Sequence, residues 1–246
     1  MTCGLSQVGS PGEDAGQKLG LHGRVHHTPA RHVSAEGKWK GDEYEMRIAG
    51  TIEETKIFGE YLRLTREIRS RMGENRIEIH DTVENIGFEP APHMMLYHLN
   101  FGFPLMMENT KIKFPSEKVV PRESEKPLDG YDSWQGPTSG YQERVYYHSD
   151  FKTRGNVALV EINNPDFPTG NGAKNAPLSV KISWNVDQLP RLVQWKMPGT
   201  GVYVLGIEPA NCWVEGRATE RQRGTLVQLD PGEMKSYDLS LEIVTE

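Results

Sequence analysis

The sequence predicts an all-β fold, an antiparallel sandwich or barrel, on three observations. The 25 glycines and 16 prolines are spread along the 246 residues without a repeating period, as in proteins built from many short elements joined by turns. Apolar and polar residues alternate over many short, β-branched runs, which is the period of a strand with one buried face. No convincing stretch of 12 or more residues carries apolar side chains at helical spacing.

The clearest elements are two alternating runs on either side of a turn. Residues 60–72 place Leu62 and Leu64 on one face, and residues 76–86 alternate in the same way. Gly73 lies between the runs and permits a tight turn, so the pair predicts a β-hairpin. The same character predicts further strands in residues 42–52, 156–162, 178–186, 191–196, 202–207, 224–229 and 233–244.

Three segments lack a clear strand pattern. Residues 115–142 contain four prolines and three glycines, and residues 163–177 are equally rich in turn residues, so both predict long loops. The first thirty residues also predict a loop rather than a strand. Since neither a linker nor an internal repeat interrupts the sequence, we expect a single domain over residues 1–246.

Composition excludes several classes of protein. The 34 acidic residues exceed the 28 Lys and Arg and give a net charge of -6, which argues against a general nucleic-acid binder. No apolar run reaches the length of about 20 residues that crosses a bilayer, and the first residues do not resemble a signal peptide. Cys3 and Cys212 are too few for a disulfide framework or a zinc ribbon. We therefore expect a soluble, cytoplasmic protein.

A polar pair interrupts the most apolar run of the sequence, residues 94–104. His98 and Asn100 are two positions apart, so on a strand they face the same side. A buried imidazole or amide without hydrogen-bond partners costs about 1–3 kcal/mol. One interpretation is therefore a satisfied His–Asn pair in the core. The other is an acid/base group lining a cavity, because imidazole titrates near neutral pH.

Glu208 closes a second apolar run, residues 202–209. Pro209 cannot continue a central strand ladder, which predicts that the carboxylate lies at a strand end. Burial there would raise the pKa of the carboxyl group towards the range of a general base. The alternative is an ion pair with Arg217 or Arg24, which would keep that pKa low.

Weaker signals surround these two residues. In the segment His22-Gly23-Arg24, glycine allows close approach of the backbone to a ligand, and arginine can bind a sugar or a carboxylate. Glu143 and His148 would face opposite sides of a continuous strand. Aromatic side chains that could stack on a sugar lie beside the polar clusters, namely Tyr97, Trp134, Tyr141, Trp195 and Trp213.

Together these motifs resemble the aldose 1-epimerase (galactose mutarotase) superfamily. Its ordered features are a His-Gly motif, a histidine on an apolar strand and a late Glu-Pro, matched here by His22-Gly23, His98 and Glu208-Pro209. The sequence is more closely similar to a bacterial domain-of-unknown-function branch of that superfamily. Its motifs Gly-Leu-His-Gly-Arg, His-Met-x-Leu-Tyr-His-x-Asn, Glu-Pro-Ala-Asn and Gly-Arg-Ala are all present, in order, over nearly the whole chain.

The resemblance implies a β-supersandwich with an open sugar cleft and a reaction without metal or cofactor. It implies that Glu208 accepts the proton of the anomeric hydroxyl while His98 protonates the ring oxygen. The sugar then opens to the aldehyde and closes on the other face. The residues expected to bind the sugar are His22, Arg24, Asn100, Asn211, Trp134 and Arg217.

Two differences from the superfamily pattern lead to further expectations. The superfamily has an arginine upstream of the His-Gly motif, which here would precede residue 1, so we expect a supersandwich shortened at its N-terminus. It also has an aspartate between the second histidine and the glutamate. In the corresponding interval of this sequence stand Asp129 and Asp132, without the usual neighbours.

Two other functions stay open. His22, His98, His148 and a carboxylate would suit Zn or Mn by ligand type, which predicts a metal-assisted sugar-modifying enzyme. The same sandwich could instead serve as a non-catalytic carbohydrate-binding module. In each case the expected partner is a small-molecule sugar, without nucleic acid or membrane, and a homodimer is possible.

Overall fold

A computed structural model of the chain describes residues 1–170 and 174–245. Its elements in chain order are β1 (Thr2–Leu5), β2 (Gly12–Asp14), β3 (Gln17–Leu19), a 3-10 turn (Val25–His27), β4 (Arg31–Lys40), β5 (Glu43–Thr55), β6 (Tyr61–Arg71), β7 (Arg76–Asn85), β8 (Ala91–Tyr97), β9 (Leu99–Phe101), β10 (Lys111–Lys113), β11 (Ser116–Pro121), β12 (Arg144–Phe151), β13 (Val157–Phe167), β14 (Ala176–Asn185), β15 (Arg191–Gly199), β16 (Val202–Ala210), α1 (Arg217–Gln222), β17 (Val227–Leu229) and β18 (Met234–Thr245).

Two eight-stranded sheets account for most of the chain. The first sheet has the order β1-β8-β16-β15-β12-β11, with β17 paired to β8 and β9 paired to β16. The second sheet has the order β10-β13-β14-β18-β7-β6-β5-β4, and β2 and β3 form a separate hairpin. Neighbouring strands run antiparallel, including the predicted hairpin of β6 and β7. The predicted all-β, antiparallel architecture is confirmed.

Alternation along the first sheet creates two separate cores. All seven residues of β8 are buried, but Met95 and Tyr97 pack into the main core shared with the second sheet, whereas Met94 and Leu96 point to the opposite face. There they join a smaller core with Cys3, Val8, Val145, Val193, Ala210, Cys212 and Val214. The outer face of the first sheet is therefore also covered, and apolar side chains there exclude water from around polar groups on the same face.

The segments predicted as loops contain strands. Residues 116–121 form β11, which pairs with β12, so residues 115–142 are not one loop. Residues 163–177 were also predicted as a loop, but β13 continues to Phe167 and β14 begins at Ala176, while residues 171–173 lie outside the described residues. The N-terminal segment begins with β1 rather than a loop. Strands of three to six residues are too short to establish an alternating pattern in the sequence.

Helical structure is limited in the described residues. It consists of the six-residue α1 and the 3-10 turn at Val25–His27. None of the helices in residues 1–170 and 174–245 has the length and apolar character needed to cross a membrane.

Candidate active site

His98 and Glu208 meet on the outer face of the first sheet. His98 occupies the break between β8 and β9, and Glu208 lies in β16, which pairs with β9. The Nε2 atom of His98 is 3.1 Å from Oε1 of Glu208, and the two side chains are 10% and 3% exposed. The sequence predicted that Glu208 lies at a strand end. This is wrong, because β16 continues to Ala210 and Glu208 lies within the strand. Two residues far apart in sequence thus form one buried pair.

The hydrogen-bonding capacity of this pair is not filled. Apart from the 3.1 Å approach of Nε2 of His98 to Oε1 of Glu208, neither Nδ1 of His98 nor Oε1 of Glu208 has a hydrogen-bond partner within the described part of the chain. Asn100 is exposed, which excludes the interpretation of a buried His–Asn pair in the core. Unsatisfied buried polar atoms carry a free-energy cost, and a ligand that supplied hydrogen bonds would remove it.

Burial shifts the two pKa values in opposite directions. It raises the pKa of Glu208 to about 8, and the negative charge of Glu143 contributes further. It lowers the pKa of His98 to about 4, with a smaller contribution from His22. Between these values the carboxyl group holds a proton and the imidazole is neutral. The pair therefore carries one proton and has one vacant acceptor, which is the combination that acid/base exchange needs.

The pair lines a cleft of about 570 Å³. Pockets that bind small molecules commonly have volumes of about 300–1,000 Å³, so one sugar fits by size. Polar and aromatic side chains share the lining with the small outer core. Those with ring, amide or charged side chains are His22, His98, Asn100, Arg122, Glu143, Trp195 and Glu208, and the hydroxyl of Ser10 and the terminal amino group of Met1 also line the cleft.

Local backbone geometry orients His22 in this cleft. Its φ of 57° is in the left-handed region, which is uncommon outside glycine and is often found at functional sites. Its Nδ1 accepts a hydrogen bond from the amide of Gly9 at 3.3 Å, so Nε2 carries the ring hydrogen. The following Gly23 has φ of 75°, and a Cβ there would lie 2.3 Å from the carbonyl oxygen of Gly4. The backbone thus requires the glycine of the His-Gly sequence.

Gly206 provides the space that the buried carboxyl group occupies. A Cβ at this position would lie 2.5 Å from Oε1 of Glu208, 3.0 Å from Cβ of Trp195 and 3.4 Å from Cε1 of His98. The residue was not among those predicted from the sequence to form the site. The available signal was a glycine in the interior of an apolar strand, which often marks a close approach of other groups.

Two arginines expected to bind the sugar lie outside the cleft. Arg217 is buried in another cluster, where Nε donates to Oδ2 of Asp14 at 2.7 Å and Nη1 donates to Oε1 of Glu60 at 2.9 Å. Arg24 is exposed and does not contribute to the lining. Neither pairs with Glu208, so the alternative interpretation, an ion pair that keeps the pKa of Glu208 low, is wrong.

Asn211 and Trp134 also lie outside the cleft. Asn211 accepts a hydrogen bond from the amide of Met95 at 2.7 Å and donates to the hydroxyl of Tyr237 at 3.1 Å, both within the core. Trp134 is buried with its ring centroid 5.5 Å from that of Tyr203. Both residues therefore pack within the fold, and neither lies in the cleft as a sugar-binding residue would.

The histidines proposed as metal ligands do not converge. His148 is buried away from the cleft, with Nδ1 2.8 Å from Oγ of Ser116 and Nε2 3.0 Å from Oε1 of Gln194. Within residues 1–170 and 174–245, no three His, Cys, Asp or Glu side chains form a group that could hold a metal ion. Asp129 and Asp132 are exposed and outside the cleft lining. The proposed set of His22, His98, His148 and a carboxylate is therefore not assembled.

Residues 1–243 match the protein family described as "Domain of unknown function (DUF4432)". The chain belongs to the DUF4432 family. No protein with curated function matches it. The match covers every residue of the cleft described above, so the cleft lies wholly within the DUF4432 domain.

Solved structures establish which fold this DUF4432 domain has. A "putative aldose 1-epimerase" from Klebsiella pneumoniae subsp. pneumoniae matches with a TM-score of 0.85 and 28% identity over 98% of this chain. The DUF4432 chain spans only 62% of that protein's length. A galactose mutarotase-like protein from Clostridium acetobutylicum matches with a TM-score of 0.63 and 15% identity, over 100% of this chain and 79% of that one. The predicted galactose mutarotase-like fold is confirmed.

Proposed function

We propose that this protein is a carbohydrate isomerase that interconverts the anomers of an aldose through the His98–Glu208 pair. The observation that carries the proposal is the 3.1 Å approach of a buried imidazole and a buried carboxyl group on the wall of a cleft large enough for one sugar. The similarity to a solved protein described as an aldose 1-epimerase agrees with it.

The reaction needs one proton donor and one proton acceptor at two oxygens of the sugar. In the proposed mechanism Glu208 removes the proton of the anomeric hydroxyl while His98 gives a proton to the ring oxygen. The bond between C1 and the ring oxygen breaks as the C1 carbonyl forms. Rotation about C1–C2 presents the other carbonyl face, and the reverse proton transfers close the ring. The sugar thus changes only its anomeric configuration.

The resting pair must be rearranged before this step, since its proton is on Glu208. Transfer of that proton to His98, across the 3.1 Å between Oε1 and Nε2, produces the carboxylate and imidazolium that the mechanism uses. Sugar hydroxyls can donate hydrogen bonds to a carboxylate, and these favour its charged form. Binding of the sugar therefore promotes the active form of the pair.

His22 and Trp195 complete the proposed site. The hydrogen on Nε2 of His22 is available to a sugar oxygen because Nδ1 already accepts from Gly9. The ring centroid of Trp195 is 5.8 Å from that of His98, which places an apolar surface beside the reacting groups. Sugars present both polar hydroxyls and apolar C–H faces, so this combination suits a hexose or pentose.

Exchange NMR on a panel of free aldoses tests the proposal directly. The wild-type protein should accelerate exchange between the α and β anomers of at least one aldose. Glu208→Gln and His98→Asn should each lower the rate by about 100- to 10,000-fold, as expected for loss of a general acid or base. His80→Asn is the control, because His80 lies in β7 of the second sheet and pairs with Asp238.

The outcomes separate the isomerase from a binding module. Acceleration that survives both substitutions would show that the His98–Glu208 pair does not carry the reaction. Binding of aldoses without any acceleration by the wild type would establish a carbohydrate-binding module in place of an enzyme.

A further inference from the structure

Arg122 and Glu143 form a second polar group within the cleft. Nη2 of Arg122 donates to Oε1 of Glu143 at 3.3 Å, and Nε1 of Trp195 donates to the other carboxylate oxygen at 2.9 Å. The amide of Arg122 also donates to the carbonyl oxygen of Val145 at 2.8 Å, which fixes the backbone beside the cleft. The carboxylate of Glu143 is therefore held in place from two sides while its side chain stays 51% exposed.

The guanidinium of Arg122 is already occupied on its other side. Its Nε donates to Oε1 of Glu123 at 2.6 Å, so two carboxylates compensate one positive charge. Among the described residues of the cleft lining, Arg122 is the one lysine or arginine, and the terminal ammonium of Met1, which donates to the carbonyl oxygen of His98 at 2.9 Å, also lies there. The guanidinium of Arg122 is therefore not free to bind an anion, and the group of Arg122, Glu123 and Glu143 carries a net negative charge.

This arrangement disfavours an anionic sugar. A phosphate monoester carries about −1.5 to −2 charge at neutral pH and would meet the carboxylate of Glu143 before it could reach Arg122. A sugar hydroxyl, in contrast, can donate to the lone pairs of Glu143 that Arg122 and Trp195 leave free. Arginine is well suited to bind phosphate or carboxylate in a bidentate way, so its pairing with two glutamates removes that function.

We propose that Glu143 is a specificity-determining residue that occupies Arg122 and thereby restricts the cleft to uncharged sugars. The inference rests on the proposed function for the nature of the ligand, but it concerns different residues from the reacting pair. Glu143 binds a hydroxyl of the sugar, and together with Glu123 it keeps Arg122 from binding phosphate or a sugar carboxylate.

The test uses an aldose whose anomer exchange the wild-type protein accelerates, together with the 6-phosphate and the uronate of that aldose. Exchange NMR measures the rate of anomer exchange, and saturation-transfer difference NMR measures binding. The wild type should act on the neutral aldose at least about 10-fold better than on either anion. In Glu143→Gln and in the double variant Glu123→Gln/Glu143→Gln, the ratio of kcat/KM for anion to neutral sugar should rise by about 10-fold or more.

Glu117→Gln provides the matched control. Glu117 is a glutamate on β11 with a 59% exposed side chain that pairs with Lys152, away from the cleft. The substitution changes the net charge of the protein by the same amount as Glu143→Gln. An equal gain for the anionic sugars in the Glu117 variant would show a general charge effect and would overturn the proposal.

The remaining outcomes distinguish this inference from the proposed function. Wild-type protein that acts on the phosphate or uronate as well as on the neutral aldose would overturn the role of Glu143 and leave the isomerase intact. If the protein binds neutral sugars but not anionic ones and does not exchange anomers, the proposed isomerase activity is overturned. The proposed restriction of the cleft to uncharged sugars is then supported. If none of these sugars binds or exchanges, both proposals are overturned.

Discussion

A Cβ atom on Gly206 would lie 2.5 Å from Oε1 of Glu208. The carboxyl group of Glu208 therefore occupies the space that a side chain at position 206 of the same strand, β16, would need. Real Cβ atoms are not found so close to an oxygen. The contact explains why an apolar central strand contains a glycine, which otherwise weakens a strand. It also makes the position of the carboxyl group dependent on a residue without a functional group.

Gly206→Ala should disable the site while the protein still folds. The new methyl group would displace the Glu208 carboxyl group from His98, and a displacement of about 1 Å can lower the rate by about 100-fold. The cost in unfolding free energy should be about 1–3 kcal/mol, as for other overpacked positions. Kinetics of anomer exchange and urea unfolding measure the two effects.

Gly20→Ala is the matched control for this substitution. A Cβ at Gly20 meets no atom within 4 Å, and the residue lies outside the cleft lining. It should retain wild-type activity. Wild-type activity in Gly206→Ala would contradict the requirement for an undisplaced carboxyl group.

The opposite pKa shifts predict a bell-shaped pH dependence of kcat/KM. Below the His98 value of about 4 both groups are protonated, so no acceptor remains and activity is lost. Above the Glu208 value of about 8 both groups are deprotonated, so no donor remains and activity is lost again. The plateau between these limits is the range in which the pair holds one proton.

Exchange rates measured from about pH 3 to pH 10 test this profile, with the protein's fold followed by circular dichroism at each pH. His80→Asn should leave both limbs unchanged, since His80 is exposed on the other sheet. A single limb near the ordinary histidine pKa of about 6.5 would instead indicate a solvated imidazole and would contradict the burial of the pair.

The sequence predicted the fold well because its information is local. Alternation over residues 60–72 and 76–86 is visible without knowing the partners, and β6 and β7 lie where it indicated. The most apolar run, residues 94–104, overlaps β8, whose seven residues are all buried, although the burial of both faces was not predicted. Short strands such as β1 and β11 were missed because three to six residues do not establish a period.

Side-chain partners could not be predicted in the same way. Arg217 resembled a binding residue, but its partners Asp14 and Glu60 come from distant segments, and only the folded chain shows that its charge is already compensated. The importance of Gly206 depends on distances to three side chains. His98 and Glu208 were identified because polar residues in apolar strands are conspicuous, whereas Arg122 lies in a polar segment and gave no such signal.

His22→Asn should weaken sugar binding without changing the backbone. Asparagine tolerates the left-handed conformation of this position, and its Oδ1 can replace Nδ1 as acceptor for the Gly9 amide. The substitution removes the hydrogen on Nε2, and loss of one hydrogen bond to the ligand of about 1–3 kcal/mol lowers affinity by about 10- to 100-fold. Titration of the aldose by saturation-transfer difference NMR measures the change.

His32→Asn is the control for the backbone conformation. His32 has φ of 51° but is exposed in the edge strand β4, outside the cleft. Its substitution should alter neither affinity nor stability. Unchanged affinity in His22→Asn would show that Nε2 of His22 does not contact the sugar.

Arg217→Met should lower stability and leave the cleft intact. Arg217 is buried with Asp14 and Glu60, and although Arg221 also pairs with Asp14, removal of Arg217 leaves the largely buried Glu60 without its partner, which costs about 3 kcal/mol. Arg69→Met, at an exposed arginine that pairs with Glu67, should cost no more than about 1 kcal/mol. Urea unfolding gives both values, and anomer exchange under folding conditions should be equal in the two variants. A stable Arg217→Met protein that no longer binds the sugar would restore the role in binding that the sequence suggested, and would mean that the cleft extends to α1.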